Sequence, residues 1–133
     1  MDVFDYLKNE IHIKVGVSNI EGVGLIALKD IPKNTNISIE PPEEWANMKF
    51  KVKKDRLKKE LHPNVFRVLC NWGGDGDIVR FDLWPCLKYH YYMYVNHSSD
   101  PNAAYNKYYN IVCIKDIKEN EEITVKYSNC DWI

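Results

Sequence analysis

Apolar residues in this chain come in short runs, and turn residues stop each run within a few positions. Ile11-His12-Ile13-Lys14-Val15-Gly16-Val17 alternates apolar with other residues, the period of a half-buried strand. Residues 18–24 hold two glycines and an asparagine and read as a turn. Residues 25–28 read as a second strand and Pro32-Lys33-Asn34-Thr35 as a turn. Ile37 and Ile39 mark a third strand, which Pro41-Pro42 stops. Ile78-Val79-Arg80-Phe81, residues 110–114 and Ile123-Thr124-Val125 read as further strands, the last two flanking a turn at residues 115–120. Leu57, Leu61, Val65 and Leu69 recur every fourth residue, which predicts helix interrupted at Pro63. Gly73-Gly74-Asp75-Gly76-Asp77 reads as a loop or hairpin tip. There is no strand–helix–strand rhythm, and no internal repeat is expected. The pattern predicts a mostly β, or α+β, domain.

Bulk properties exclude several classes. A chain of 133 residues is one domain by length, and 45% hydrophobic content can fill a core. The net charge of −1 gives no chain-wide pull toward nucleic acid or anionic membrane. Cys70, Cys86, Cys113 and Cys130 are spread singly, without the paired spacing of a zinc site or the density of a disulfide scaffold, so a reduced intracellular compartment is expected. Met1-Asp2-Val3-Phe4-Asp5 shows neither a basic nor an apolar leader segment, and no apolar run is long enough to span a membrane.

Three segments carry chemistry. Residues 94–102 read Tyr-Val-Asn-His-Ser-Ser-Asp-Pro-Asn, and residues 121–127 read Glu-Glu-Ile-Thr-Val-Lys-Tyr. Near the N-terminus stand Glu21-Gly22-Val23-Gly24-Leu25 and then Asp30-Ile31-Pro32-Lys33-Asn34-Thr35. Together, in this order, they resemble the signature segments of the SET-domain protein-lysine methyltransferases over residues 11–127. The resemblance implies a fold of small curved sheets with a C-terminal pseudoknot, filling residues 1–133 as a single domain with a variable insert at about 43–85. It implies methyl transfer from S-adenosylmethionine to a lysine side chain, of a histone tail in the first instance, and no metal.

That chemistry has plain requirements. The amine and the methyl must be held in line about 3–3.5 Å apart. The lysine must also arrive neutral, although its free pKa is about 10.4, so an apolar channel has to disfavour the charged form. The resemblance assigns Tyr127 to orient the amine. Asn96 and His97 would hold the cofactor, together with the main chain at Glu21 and Val23. Trp132 would cover it or serve as an apolar plug. Tyr105 and Val125 would line the lysine pocket and limit it to one methyl. Asn102 braces the threaded loop. Each has a plainer reading: a packed strand-end tyrosine, turn chemistry at Asn96-His97, an ordinary tight turn at Gly22-Val23-Gly24, a surface tyrosine at Tyr105.

The chain also departs from the family pattern. The zinc-binding cysteines that follow many SET domains are missing. Met93 stands where an arginine is common. Glu40 falls where a channel tyrosine is common, and a carboxylate in the channel would favour charged lysine. The stand-alone form resembles compact viral SET proteins, which implies a homodimer working in the nucleus or at host chromatin. Lys49, Lys51, Lys53, Lys54, Arg56, Lys58 and Lys59 form a basic run that reads as a solvated helix face or as a contact with nucleosomal DNA phosphates. Two other functions stay open from sequence: a catalytically weak SET module that binds a peptide or partner, and a nucleic-acid-binding domain built on the lysine run.

Overall fold

A computed structural model describes residues 2–38, 40–83 and 94–127, apart from the side chains of residues 72–75. The chain divides into two compact units. The first comprises Met1–His12 and Ile39–His90, and the second Ile13–Ser38 and Tyr91–Ile133. The stretch 43–85 lies within the first unit.

The first unit opens with helix α1 (Val3–Asn9), capped by the Asp2 carboxylate, which accepts from the Phe4 N–H at 2.7 Å. Strand β3 (Phe50–Lys53) runs directly into helix α2 (Lys54–Glu60). Pro63 then starts helix α3 (Pro63–Gly73) instead of merely interrupting a longer one. Its missing N–H costs nothing in the first turn, and the His62 ring caps that turn by accepting from the Asn64 N–H at 3.1 Å. Strands β4 (Gly74–Asp75) and β5 (Ile78–Phe81) form a hairpin, and β5 pairs β3 on its other side. The tip is Gly76, at φ 66°. The core includes an aromatic chain. Tyr6 meets Trp45 edge-on at 5.8 Å, Trp45 meets Phe50 edge-on at 5.5 Å, and Phe50 stacks on Phe81 at 5.4 Å.

The run at 49–59 is therefore strand and then helix, not one helix face. Phe50-Lys51-Val52-Lys53 alternates at the strand period, with the two lysines exposed.

Among the described residues, the second unit holds two sheets. Strands β1 (Ile13–Val17) and β2 (Val23–Ala27) form a hairpin, and β9 (Glu122–Val125) adds antiparallel to β2. Strand β6 (Asn96–His97) adds parallel to the far side of β9. The end of the described chain thus lies between two earlier segments, the crossing that the resemblance implies. Strands β7 (Ala103–Tyr105) and β8 (Ile111–Cys113) form a separate hairpin. Small sheets with a few short helices make a mostly β fold of the expected class.

The third strand expected at Ile37 and Ile39 does not appear at Ile37. That residue is buried at a bend, Asn36 makes only an isolated bridge to Val112, and Ile39 lies outside the described residues. The Ile37 N–H donates instead to the Ile111 carbonyl at 3.0 Å. The segment also belongs to an internal repeat, contrary to expectation. Residues 27–37 and 113–123 share Lys, Asp, Ile, Asn and Ile at matching places: Lys29 and Lys115, Asp30 and Asp116, Ile31 and Ile117, Asn34 and Asn120, Ile37 and Ile123. The two copies clasp each other. The Ile31 N–H donates to the Ile117 carbonyl at 2.7 Å, and the Ile117 N–H returns a bond at 2.8 Å. The Asp116 carboxylate accepts from the Lys33 N–H at 2.8 Å, and the Asp30 carboxylate from the Glu119 N–H at 2.9 Å. Asn34 and Asn120 both turn left-handed, at φ 74° and 71°.

Candidate active site

The β1–β2 connection is built on Ser18. Its hydroxyl oxygen accepts from the N–H groups of Ile20 at 2.9 Å and Glu21 at 3.2 Å, and its own N–H donates to the Gly22 carbonyl at 3.0 Å. Gly22 sits at φ 47° with open space where a side chain would be, so its backbone conformation explains the glycine. Glu21 and Val23 are exposed on either side.

Asn96, on β6, reaches this turn. Its Nδ2 lies 2.8 Å from Glu122 Oε2, 3.0 Å from the Val23 carbonyl, 3.0 Å from Ser18 Oγ and 3.2 Å from the Glu21 carbonyl. The Ser18 hydroxyl donates to Glu122 Oε1 at 2.6 Å. Gly24 is buried beneath this cluster. A Cβ there would lie 2.8 Å from the Glu122 Cδ and 3.1 Å from Asn96 Nδ2, closer to Cδ than real Cβ atoms come. Asn96, Glu21 and Val23 are all candidates on motif grounds, and the structure brings the three together. Ser18 and Glu122 were missed, although Glu122 stands inside the second signature segment.

His97 and Tyr127 form the neighbouring group. The His97 ring accepts the Tyr127 N–H on Nδ1 at 2.8 Å, and the two rings lie 5.2 Å apart. The Tyr127 hydroxyl donates to the Val95 carbonyl at 2.5 Å. The side chain keeps 45% exposure while its hydroxyl proton is committed inward. Toward an amine N–H, the phenol oxygen therefore acts as an acceptor.

Asn102 locks the loop between β6 and β7. Its amide nitrogen donates to the Glu122 carbonyl at 2.8 Å and its amide oxygen accepts from the Thr124 N–H at 2.8 Å. One side chain thus pairs with β9 as another strand would. The Ser98 N–H adds a bond to the Val125 carbonyl at 3.0 Å. At the loop's surface, Lys115 bonds Asp100 at 2.8 Å, and this hydrogen bond holds the carboxyl below its usual range.

The remaining candidates are less closely gathered. Tyr105 is partly exposed at the end of β7. Val125 is 1% exposed, packed in β9 opposite His97. Glu40 is exposed and belongs to the first unit. Trp132 and Met93 lie outside the described residues. Among the described residues no cluster of His, Cys, Asp and Glu could hold a metal ion, and no helix is long and apolar enough to cross a membrane.

Residues 22–128 match the SET domain family model, and the chain belongs to the SET domain family of protein-lysine methyltransferases. Among solved structures, it is similar to a Plasmodium falciparum candidate histone methyltransferase. The identity is 23%, over 92% of this chain and 97% of that one, with a TM-score of 0.42. No curated protein sequence matches the chain significantly.

Proposed function

We propose that the protein transfers a methyl group from S-adenosylmethionine to a lysine side chain, the substrate being a histone tail. One observation carries this reading: the Tyr127 hydroxyl proton is bound to the Val95 carbonyl beside the strand that bears Asn96 and His97. That arrangement suits an oxygen that must orient an amine by accepting its N–H.

The residues fit the cofactor. Both Asn96 Nδ2 hydrogens are used inside the protein, and among the described residues no hydrogen bond reaches Oδ1. An acceptor presented this way complements an amino group. Glu21, Val23 and His97 are exposed around it. S-adenosylmethionine supplies, when bound, an electrophilic methyl on a sulfonium. The chain's own part is to hold, orient and dry the site. Asn96 Oδ1, the main chain at Glu21 and Val23, and His97 bind the cofactor. Tyr127 aims the amine lone pair. The lysine must shed its proton to react, which apolar surroundings at the amine would favour.

The partner reading follows the same line. Lys49, Lys51, Lys53, Lys54, Lys58 and Lys59 are exposed, and among the described residues none has an ion-pair partner; Arg56 pairs with Glu60. Lys51 stands directly opposite Arg80 across the β3–β5 ladder, like charges that repel. Phosphates of nucleosomal DNA would relieve that repulsion. A homodimer acting at chromatin completes the proposal.

Radiolabelled methyl transfer onto histones and onto cell lysate, followed by mass spectrometry of the product, tests the activity. Labelled lysine supports it. Cofactor binding without any labelled protein would leave a peptide-binding SET module instead.

A further inference from the structure

We infer that Glu122 is a positioning residue, whose carboxylate fixes the orientation of the Asn96 amide from the space that Gly24 leaves empty. The inference rests on Asn96 being a cofactor residue, as proposed above, and concerns what makes it one.

A side-chain amide is nearly symmetric in shape, so its two ends are distinguished only by their hydrogen-bond partners. Around Asn96 those partners are one-sided. The Glu122 carboxylate, the Val23 and Glu21 carbonyls and the Ser18 oxygen all surround Nδ2. The Ser18 oxygen already receives the N–H groups of Ile20 and Glu21, and its own proton goes to Glu122 Oε1. The two Nδ2 hydrogens therefore pair best with the nearest remaining acceptors, Glu122 Oε2 at 2.8 Å and the Val23 carbonyl at 3.0 Å. A flipped amide would press Oδ1 against a carboxylate and two carbonyls with no hydrogen between them. Of these acceptors only Glu122 carries charge, so its bond is the strongest. It keeps the acceptor end of Asn96 available to a ligand.

Gly24 makes the arrangement possible. It is not among the residues with positive φ, so backbone freedom does not explain it. What explains it is room: a methyl there would collide with the Glu122 carboxyl group and crowd Asn96 Nδ2. The carboxylate ends a flexible side chain and could swing aside, but only by releasing Ser18 and Asn96. The two glycines of the turn thus serve different ends. Gly22 permits the turn, and Gly24 admits the carboxylate.

The test is a set of variants scored by S-adenosylmethionine affinity in titration calorimetry, by KM and kcat, and by melting temperature: Asn96→Ala, Glu122→Gln, Glu122→Ala, Gly24→Ala, Asn96→Ala with Glu122→Ala, and Gly24→Ala with Glu122→Ala. The loss of a charge-assisted hydrogen bond predicts that Glu122→Ala and Gly24→Ala each weaken the cofactor about tenfold. The change should appear in KM for the cofactor, with kcat at saturation nearly kept. In a background of Asn96→Ala, Glu122→Ala should cost nothing further. In a background of Glu122→Ala, Gly24→Ala should cost much less in both affinity and melting temperature, since the carboxyl group it strikes is gone and only the 3.1 Å approach to Asn96 Nδ2 remains. Glu122→Gln keeps the size of the side chain and can still accept one hydrogen, so it should fold and show an intermediate loss. If Gly24→Ala costs the same with and without Glu122, the inference is overturned. It is equally overturned if Asn96→Ala weakens the cofactor and neither Glu122 variant does. Unchanged affinity in Asn96→Ala would instead remove the cofactor role of Asn96, and the positioning role with it.

Discussion

Ile31 and Ile117 exchange both of their backbone hydrogen bonds, although they stand far apart in the chain. Each isoleucine is buried, and each is followed three residues later by an asparagine in the left-handed conformation. The clasp joins the segment after β2 to the segment before β9, and β2 and β9 carry Gly24 and Glu122. Groups from opposite ends of the sequence are thereby set within hydrogen-bonding distance.

Tyr127→Phe removes the hydroxyl and leaves the ring and its contact with His97. Misplacing a reacting amine by an ångström costs about 100-fold in rate, so methyl transfer should fall by at least about that factor. Cofactor affinity should stay within a few-fold. A variant that keeps most of its turnover, measured by labelled methyl transfer, would make Tyr127 structural.

Asn102→Ala strips β9 of two partners at once, leaving the Glu122 carbonyl and the Thr124 N–H unpaired. At about 1–3 kcal/mol for each unsatisfied group, unfolding free energy should drop by about 2–6 kcal/mol. Asn102→Asp keeps the acceptor for Thr124 and loses only the donor, so it should cost less. Urea denaturation of the three proteins checks the order.

Burial pushes the Cys113 thiol up from 9.0 to about 11. The folded protein should resist thiol reagents at pH 8 at this position and react only once unfolded. The sign for stability follows. Below the unfolded value the thiol is neutral in both states and the contribution is fully present. As pH rises from 9 toward 11 the unfolded thiol ionises first, and stability falls. Cys113→Ala should flatten that part of the alkaline denaturation curve, after allowance for its lost packing.

Tyr105→Phe is expected to change the product. If the Tyr105 hydroxyl holds a water in the space a methylated amine needs, its loss should let a second methyl be added. Mass spectrometry of the peptide product decides the matter, and a wild-type enzyme that already makes trimethyl-lysine would rule the role out.

Lys51→Glu with Lys53→Glu should weaken binding to nucleosomes or to a short DNA duplex and leave methylation of a free peptide intact. The salt dependence of binding should flatten by about 0.9 log units per log of salt for each phosphate contact removed. Unchanged binding and slope would show that this basic face is merely solvated.

Much of the candidate site was legible because it is written in short runs of consecutive residues. Asn96, His97, Asn102 and Tyr127 are found by motif. What sequence concealed were the relations between motifs. Glu122 and Ser18 are ordinary residue types at positions where a surface role is common, and only their convergence on Asn96 distinguishes them. Helix α1 was missed because Val3–Asn9 is too short to display a helical period. Strand β3 was hidden because four of the first five members of the basic run are lysines near an otherwise plain alternation. The clasp repeat escaped because its two copies share only scattered positions, and its common feature, a left-handed asparagine, is a property of the backbone. The strand expected at Ile37 failed because the chain bends there after a single isolated bridge from Asn36 to Val112.

The clasp also bears on how the chain can grow. Residues 39–90 leave the second unit after one copy of the repeat, and the chain returns to it before the other. Closing a flexible loop costs only about 0.6 kcal/mol more for each doubling of its length. The pairing of Ile31 with Ile117 is thus nearly indifferent to how much chain intervenes. Natural variation could lengthen, shorten or exchange the intervening module at small thermodynamic cost, leaving the signature segments in register. The cost falls on time instead, since a contact so distant in sequence is slow to find.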